Sequence, residues 1–101
     1  MNILERARSF IQMEAEAVAG LTSVLDSEFE KAVDLILKCE ARVITTGMGK
    51  AGLLARKVAA TMASTGTPAV FVHPAEGVHG DLGMVTNKDV VLAFSHKGQT
   101  E

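Results

Sequence analysis

The sequence predicts an α/β fold, a three-layer αβα sandwich around a parallel sheet, preceded by two helices. Three observations predict it. Between residues 41 and 101, β-branched apolar runs alternate with a helix-period segment, the strand–helix–strand rhythm of a βαβ unit. A glycine-rich turn, Gly47-Met48-Gly49-Lys50-Ala51-Gly52, joins the first run to that segment. Residues 1–40 carry amphipathic helical periodicity and no strand-like run.

A chain of 101 residues accommodates one small domain with a modest core. Its 48% apolar and 22% charged content is that of an ordinary globular chain. A formal net charge of −2 provides no basic footprint, so nucleic acid is excluded as a partner. The lone cysteine, Cys39, cannot form an internal disulfide, which fits a reducing cytoplasm. No apolar segment near the N-terminus reads as a signal peptide or a membrane span.

Asn2 and Glu5 have capping-box spacing, and Leu4, Ala7, Ile11, Val18, Leu21 and Leu25 then recur on one face, predicting a first helix of about six turns. Gly20 should weaken it locally. Ser27 and Glu30 suggest a second capping box, opening a helix that ends near Cys39. Glu14 and Glu16 point in different directions on a helix and read as a solvated face.

Val43, Ile44, Thr45 and Thr46 form the first predicted strand, ending at Gly47. Residues 51–64 follow as a helix, with Leu53, Leu54, Val58, Ala59, Met62 and Ala63 at helical spacing and Gly66 at its C-terminal stop. Residues 69–72 and 90–94 complete three short strands. No helix follows the third within these residues, so the sandwich is expected to be incomplete: either a partner covers the open side or the chain is the front portion of a larger domain.

The glycine turn formally matches G-x-G-x-x-G, but a dinucleotide site needs an acid about twenty positions on, at the end of the second strand. That strand ends in Val72-His73-Pro74, and Glu76 lies beyond the proline. The P-loop reading fails because no Ser or Thr follows Lys50. What remains is a turn whose Gly47, Gly49 and Lys50 suit one phosphate or a polar sugar beside it, or else a glycine turn with a surface lysine.

Two more polar stretches follow strands. Glu76-Gly77-Val78-His79-Gly80-Asp81 offers carboxylates and an imidazole able to move protons near neutral pH, with a hydrogen-bonded loop histidine as the blander alternative. No second His or Cys stands at ligand spacing, so no metal is expected. Ser95-His96-Lys97-Gly98-Gln99-Thr100 could form a second phosphate cradle. All three stretches fall at the C-terminal edge of the predicted sheet, where open α/β sheets bind ligands.

At these residues the sequence resembles the sugar isomerase (SIS) family, and within it the arabinose-5-phosphate isomerases of the KpsF and GutQ type. The resemblance is carried by Thr46-Gly47-Met48-Gly49-Lys50-Ala51-Gly52, Ala63-Ser64-Thr65-Gly66-Thr67-Pro68, Phe71-Val72-His73-Pro74 and His79-Gly80-Asp81-Leu82-Gly83-Met84, and it covers essentially the whole chain. It implies a flavodoxin- or Rossmann-like αβα sandwich and a cytoplasmic homo-oligomer, a dimer or tetramer, with sites near subunit interfaces. It also implies interconversion of ribulose 5-phosphate and arabinose 5-phosphate for Kdo, lipopolysaccharide or capsule synthesis, without a cofactor. Carried over by position, Lys50 holds substrate and His79 is an acid/base or polarising group. Gly47 and Gly49 shape the first loop, while Ser95, Gly98 and Thr100 bind phosphate.

The family's last motif runs approximately Ser-x-Ser-Gly-x-Ser/Thr-x-Glu. Here Lys97 replaces the second serine, and Glu101 occupies the variable place before the family's acid. Residues 1–101 are therefore expected to be the N-terminal part of an SIS domain without CBS domains. The two functional expectations are a sugar-phosphate isomerase, inactive unaided if later residues are required, and a non-catalytic phosphosugar-binding module.

Overall fold

A computed structural model describes residues 2–75 and 85–95. It divides into two compact units, Met1–Asp34 and Leu35–Glu101.

The first unit is helical. Helix α1 spans Ile3–Gly20 and opens with the expected capping box: the Glu5 N–H donates to Asn2 Oδ1 at 2.8 Å, and the Asn2 N–H to Glu5 Oε2 at 3.3 Å. It is shorter than the sequence suggested, because the chain tightens into a 3₁₀ turn over Leu21–Val24 directly after Gly20. There the hydroxyls of Thr22 and Ser23 donate to the carbonyls of Ala19 and Gly20, competing with a continued α-helix. The apolar stripe is uncovered, with Leu4 65% and Ile11 68% exposed.

Helix α2 spans Ser27–Leu37. Its cap corrects the sequence reading. Asp26, not Ser27, accepts from the N–H groups of Glu28 and Phe29, at 3.0 and 3.4 Å. Both residue types can cap, but a carboxylate beside the positive end of a helix gains charge stabilisation that a hydroxyl lacks.

The second unit is built on β1 (Val43–Gly47), α3 (Gly49–Ser64), β2 (Ala69–Phe71) and β3 (Val90–Phe94). All pairing is parallel, in the order β2-β1-β3. Thus β1 is central: Thr45 lies level with Phe71 on one side and Leu92 on the other. β2 is one residue shorter than predicted, and the Val72 N–H closes its ladder by donating to the Thr45 carbonyl. α3 starts two residues earlier than predicted, inside the glycine turn.

The core is formed by Val43, Ile44, Ala55 and Ala59. α3 turns a narrow stripe of Gly52, Ala55 and Ala59 inward, while Leu53 and Leu54 remain 68% and 51% exposed. The larger apolar side chains flank the contact. Small residues facing β1 let the helix sit close, and the fully buried Thr45 uses that proximity to donate its hydroxyl to the Ala55 carbonyl at 2.7 Å. This bond satisfies a polar group that would otherwise be costly to bury. The opposite sheet face is unevenly covered: Ile44 is buried, but its register partner Val91 is 53% exposed.

At the N-terminal edge of the sheet, Asp89 fastens the entries to β1 and β3. Its carboxylate accepts from the Arg42 N–H at 2.9 Å and from the Thr86 N–H at 2.8 Å, with the Thr86 hydroxyl at 3.2 Å and the Arg42 guanidinium at 3.8 Å. The side chain is only 1% exposed. These donors, the Thr86 and Arg42 backbone N–H groups foremost, hold the Asp89 carboxyl below its ordinary pKa of 3.8.

A carboxyl lowered by folding stabilises the fold when ionised. Its contribution is complete above the unfolded value and is lost as pH falls through the lower folded one. Asp89→Asn should therefore melt below the wild type by a gap that is constant from about pH 5 upward and closes as pH drops below 3.8. Paired thermal melts across that range measure it, and a gap that widens in acid would contradict this assignment.

Candidate functional site at the C-terminal edge of the sheet

Three glycines shape the passage from β1 to α3. Gly49 has φ +59°, a left-handed conformation favouring glycine. At Gly47 and Gly52 the requirement is space. A Cβ on Gly47 would come within 2.9 Å of the Ala51 carbonyl oxygen and 3.0 Å of the Phe94 carbonyl oxygen. One on Gly52 would meet the Gly47 carbonyl oxygen at 2.6 Å. The turn therefore clamps the helix start against the ends of β1 and β3.

Lys50 lies in the first turn of α3 and is exposed. A groove of about 620 Å³ runs between that turn and the end of β3, lined by Lys50, Ala51, Leu54, Phe94 and Ser95. Its position follows from topology. β1 connects through α3 to β2 on one side, and β3 lies on the other, so the crevice opens where neighbouring strands lead in opposite directions.

The start of α3 differs electrostatically from those of α1 and α2. Those two carry Glu5 and Glu28 with Glu30 in their first turns. α3 has no acid there, its cap residue Met48 supplies no side-chain hydrogen bond, and Lys50 adds a full positive charge. A cation near the positive end of a helix costs about 0.3–1 kcal/mol, an expense an arriving anion reverses.

Of the residues anticipated from sequence, Lys50 and Ser95 line one groove, while Gly47 and Gly49 lie in the turn that leads to Lys50. His79, Gly98 and Thr100 lie outside the described residues. The sequence reading missed the groove's apolar wall. Leu54 and Phe94 looked like core residues of a helix and a strand, and only the placement of α3 beside β3 makes them lining. It also passed over Arg56, whose Cζ stands 4.2 Å above the Phe71 ring centroid. No group of three His, Cys, Asp or Glu that could hold a metal occurs among the described residues, and none of their helices is long and apolar enough to cross a membrane.

Residues 36–101 match the family model of the SIS domain. The chain is 48% identical over 100 residues to arabinose 5-phosphate isomerase KdsD of Pseudomonas aeruginosa, spanning 99% of this chain and 31% of that protein. It is 46% identical over 96 residues to arabinose 5-phosphate isomerase GutQ of Escherichia coli K12, spanning 95% and 30%. Among solved structures it matches a Bacteroides fragilis protein described as a phosphosugar isomerase involved in capsule formation, with a TM-score of 0.90, 40% identity and 99% and 53% coverage of the two chains. It matches Escherichia coli CFT073 c3406 in complex with arabinose 5-phosphate with a TM-score of 0.79, 42% identity and 99% and 55% coverage. The chain therefore spans about 30% of the length of these curated relatives and just over half of the solved chains.

The clamp is directly testable. Gly52→Ala should lower stability by about 1–3 kcal/mol, the usual cost of overpacking a well-filled site. Gly20→Ala, with no neighbour within 4 Å of the added methyl, should change it by less than about 1 kcal/mol in either direction. Urea titrations compare the two, and equal stability of both variants would show that α3 does not approach β1 as described.

Proposed function

The chain belongs to the SIS domain family, and from that premise we propose that it binds a pentose phosphate and serves aldose–ketose interconversion of D-arabinose 5-phosphate and D-ribulose 5-phosphate. The observation that carries this reading is the groove between the first turn of α3 and the end of β3, where Lys50 and an acid-free helix start await an anion. The KdsD and GutQ likenesses supply the substrate class.

In this reading the glycines of the first loop admit the ligand close to the main chain. Lys50 neutralises negative charge on the phosphate or on the developing oxyanion. Ser95 adds a hydroxyl at the end of β3, and Gly98 and Thr100 extend that cradle. His79 moves protons. A base removes the C2 proton of the aldose, the released pair forms the C1–C2 double bond, and O1 takes a proton, giving an enediol. Reprotonation at C1 with loss of the O2 proton yields the ketose.

The same reading places the protein in the cytoplasm as a homo-oligomer, with a role in lipopolysaccharide or capsule synthesis. The uncovered apolar stripe of α1 favours association, and the free thiol of Cys39 suits a reducing compartment. Lys97 supports a second reading, a non-catalytic phosphosugar-binding module, because it stands where the family carries a serine.

Incubation of the purified chain with ribulose 5-phosphate, followed by separation of aldose from ketose, distinguishes the two. Turnover establishes the isomerase, whereas saturable binding without turnover establishes the module. Absence of both would refute the phosphosugar reading. Lys50→Ala should weaken arabinose 5-phosphate binding roughly tenfold, equivalent to about 1.4 kcal/mol. Because Lys50 is exposed, the thermal midpoint should stay near that of the wild type. Calorimetric titration and a melt of the same sample measure both quantities.

A further inference from the structure

The residue just beyond β2 is held with more care than a loop requires. His73 is half-buried, and its Nδ1 accepts the Ala75 N–H at 3.1 Å across Pro74. A ring nitrogen that accepts carries no proton, so the neutral imidazole must carry its hydrogen on Nε2. No partner for Nε2 occurs among the described residues. The ring plane is also fixed. Phe71 meets it edge to face, with centroids 6.3 Å apart and planes at 75°, and Arg56 stacks over Phe71 from α3.

Contact through Phe71 ties this ring to the glycine clamp. Thr45 is level with Phe71, and the Val72 N–H closes the ladder by donating to the Thr45 carbonyl. His73 follows β2 by two residues, and Gly47 ends β1 two residues beyond Thr45, the last partner of β2. Phe71 faces α3, whose Arg56 lies over its ring, and His73 meets the edge of the same ring. A Cβ on Gly52 would lie 4.0 Å from the tip of the Phe71 ring, so this aromatic group borders the glycine clamp directly. Lys50 and Ser95 line the groove at the end of β3, and His73 follows β2, on the other side of β1.

We propose that His73 is a sugar-binding residue: Nδ1 fixes the turn, and Nε2–H donates to a hydroxyl or carbonyl oxygen of the phosphosugar whose phosphate lies against the start of α3. The inference rests on the phosphosugar reading above and assigns to one ring two separable tasks. Asparagine and glutamine separate them. Asparagine Oδ1 matches Nδ1 and accepts from the N–H two residues on, a turn that Asn-Pro favours, but it reaches no farther. The glutamine amide nitrogen matches Nε2 and loses the turn.

Titrations of wild type, His73→Asn and His73→Gln with arabinose 5-phosphate and with inorganic phosphate test this, alongside thermal melts. His73→Asn should keep the wild-type midpoint and its phosphate affinity within about twofold, yet bind arabinose 5-phosphate about three- to tenfold more weakly, the effect of one lost hydrogen bond. His73→Gln should melt earlier and hold arabinose 5-phosphate within about twofold of wild type. Unchanged sugar-phosphate affinity in His73→Asn would overturn the proposal. So would equal weakening of both probes, or a loss in His73→Gln as large as in His73→Asn. If the wild type binds neither probe, the phosphosugar reading itself fails and this inference falls with it.

Discussion

The tightest constraint in the chain is the approach of α3 to the end of β1. A methyl group at Gly52 would press within 2.6 Å of the Gly47 carbonyl oxygen, and one at Gly47 would press on the carbonyls of Ala51 and Phe94. Helix, central strand and third strand therefore meet at backbone distance. The small stripe of Gly52, Ala55 and Ala59 continues that proximity along the helix, and the Thr45 hydroxyl locks it at the Ala55 carbonyl. Because helix N–H groups at the N-terminus have no intrahelical partner, this contact also brings a polar helix start to the sheet edge. Packing and the position of the helix start have one geometric cause.

Much of this was legible where the signals are local. The Asn2–Glu5 box needs only a side chain and a backbone three residues apart, and it forms as read. The glycine turn announced itself for the same reason. The cap of α2 was misplaced by one residue because Asp26 and Ser27 are both competent, and spacing cannot weigh a carboxylate against a hydroxyl. The order β2-β1-β3 was not legible at all, since parallel pairing joins residues far apart in sequence. Leu54, Phe94 and Arg56 share that limit. Their roles depend on which element lies opposite, and periodicity reports only that a face exists.

The helix starts show how a fold separates stability from function. α1 and α2 satisfy their own N-termini with Asn2, Glu5 and Asp26, and those ends are finished structures. α3 leaves its first turn without an acid or a side-chain cap and adds Lys50. Each choice is unfavourable for an isolated helix. Together they hold positive potential at the crevice between β1 and β3, where a bound anion would complete the cap.

The two edges of the sheet divide in the same manner. At the N-terminal edge, Asp89 uses both carboxylate oxygens on Arg42 and Thr86, and the carbonyls of Arg42 and Lys88 accept from the N–H groups of Val90 and Ala41. Hydrogen bonding there is directed inward and fastens β1 to β3. At the C-terminal edge, Lys50 remains exposed, and His73 has one nitrogen committed to the turn and one outside it. An edge that spends its polar groups on itself can anchor strands but has little left to recognise a ligand. Concentrating the strand-anchoring bonds at one edge lets the other carry side chains at fixed positions, which any selective ligand site requires.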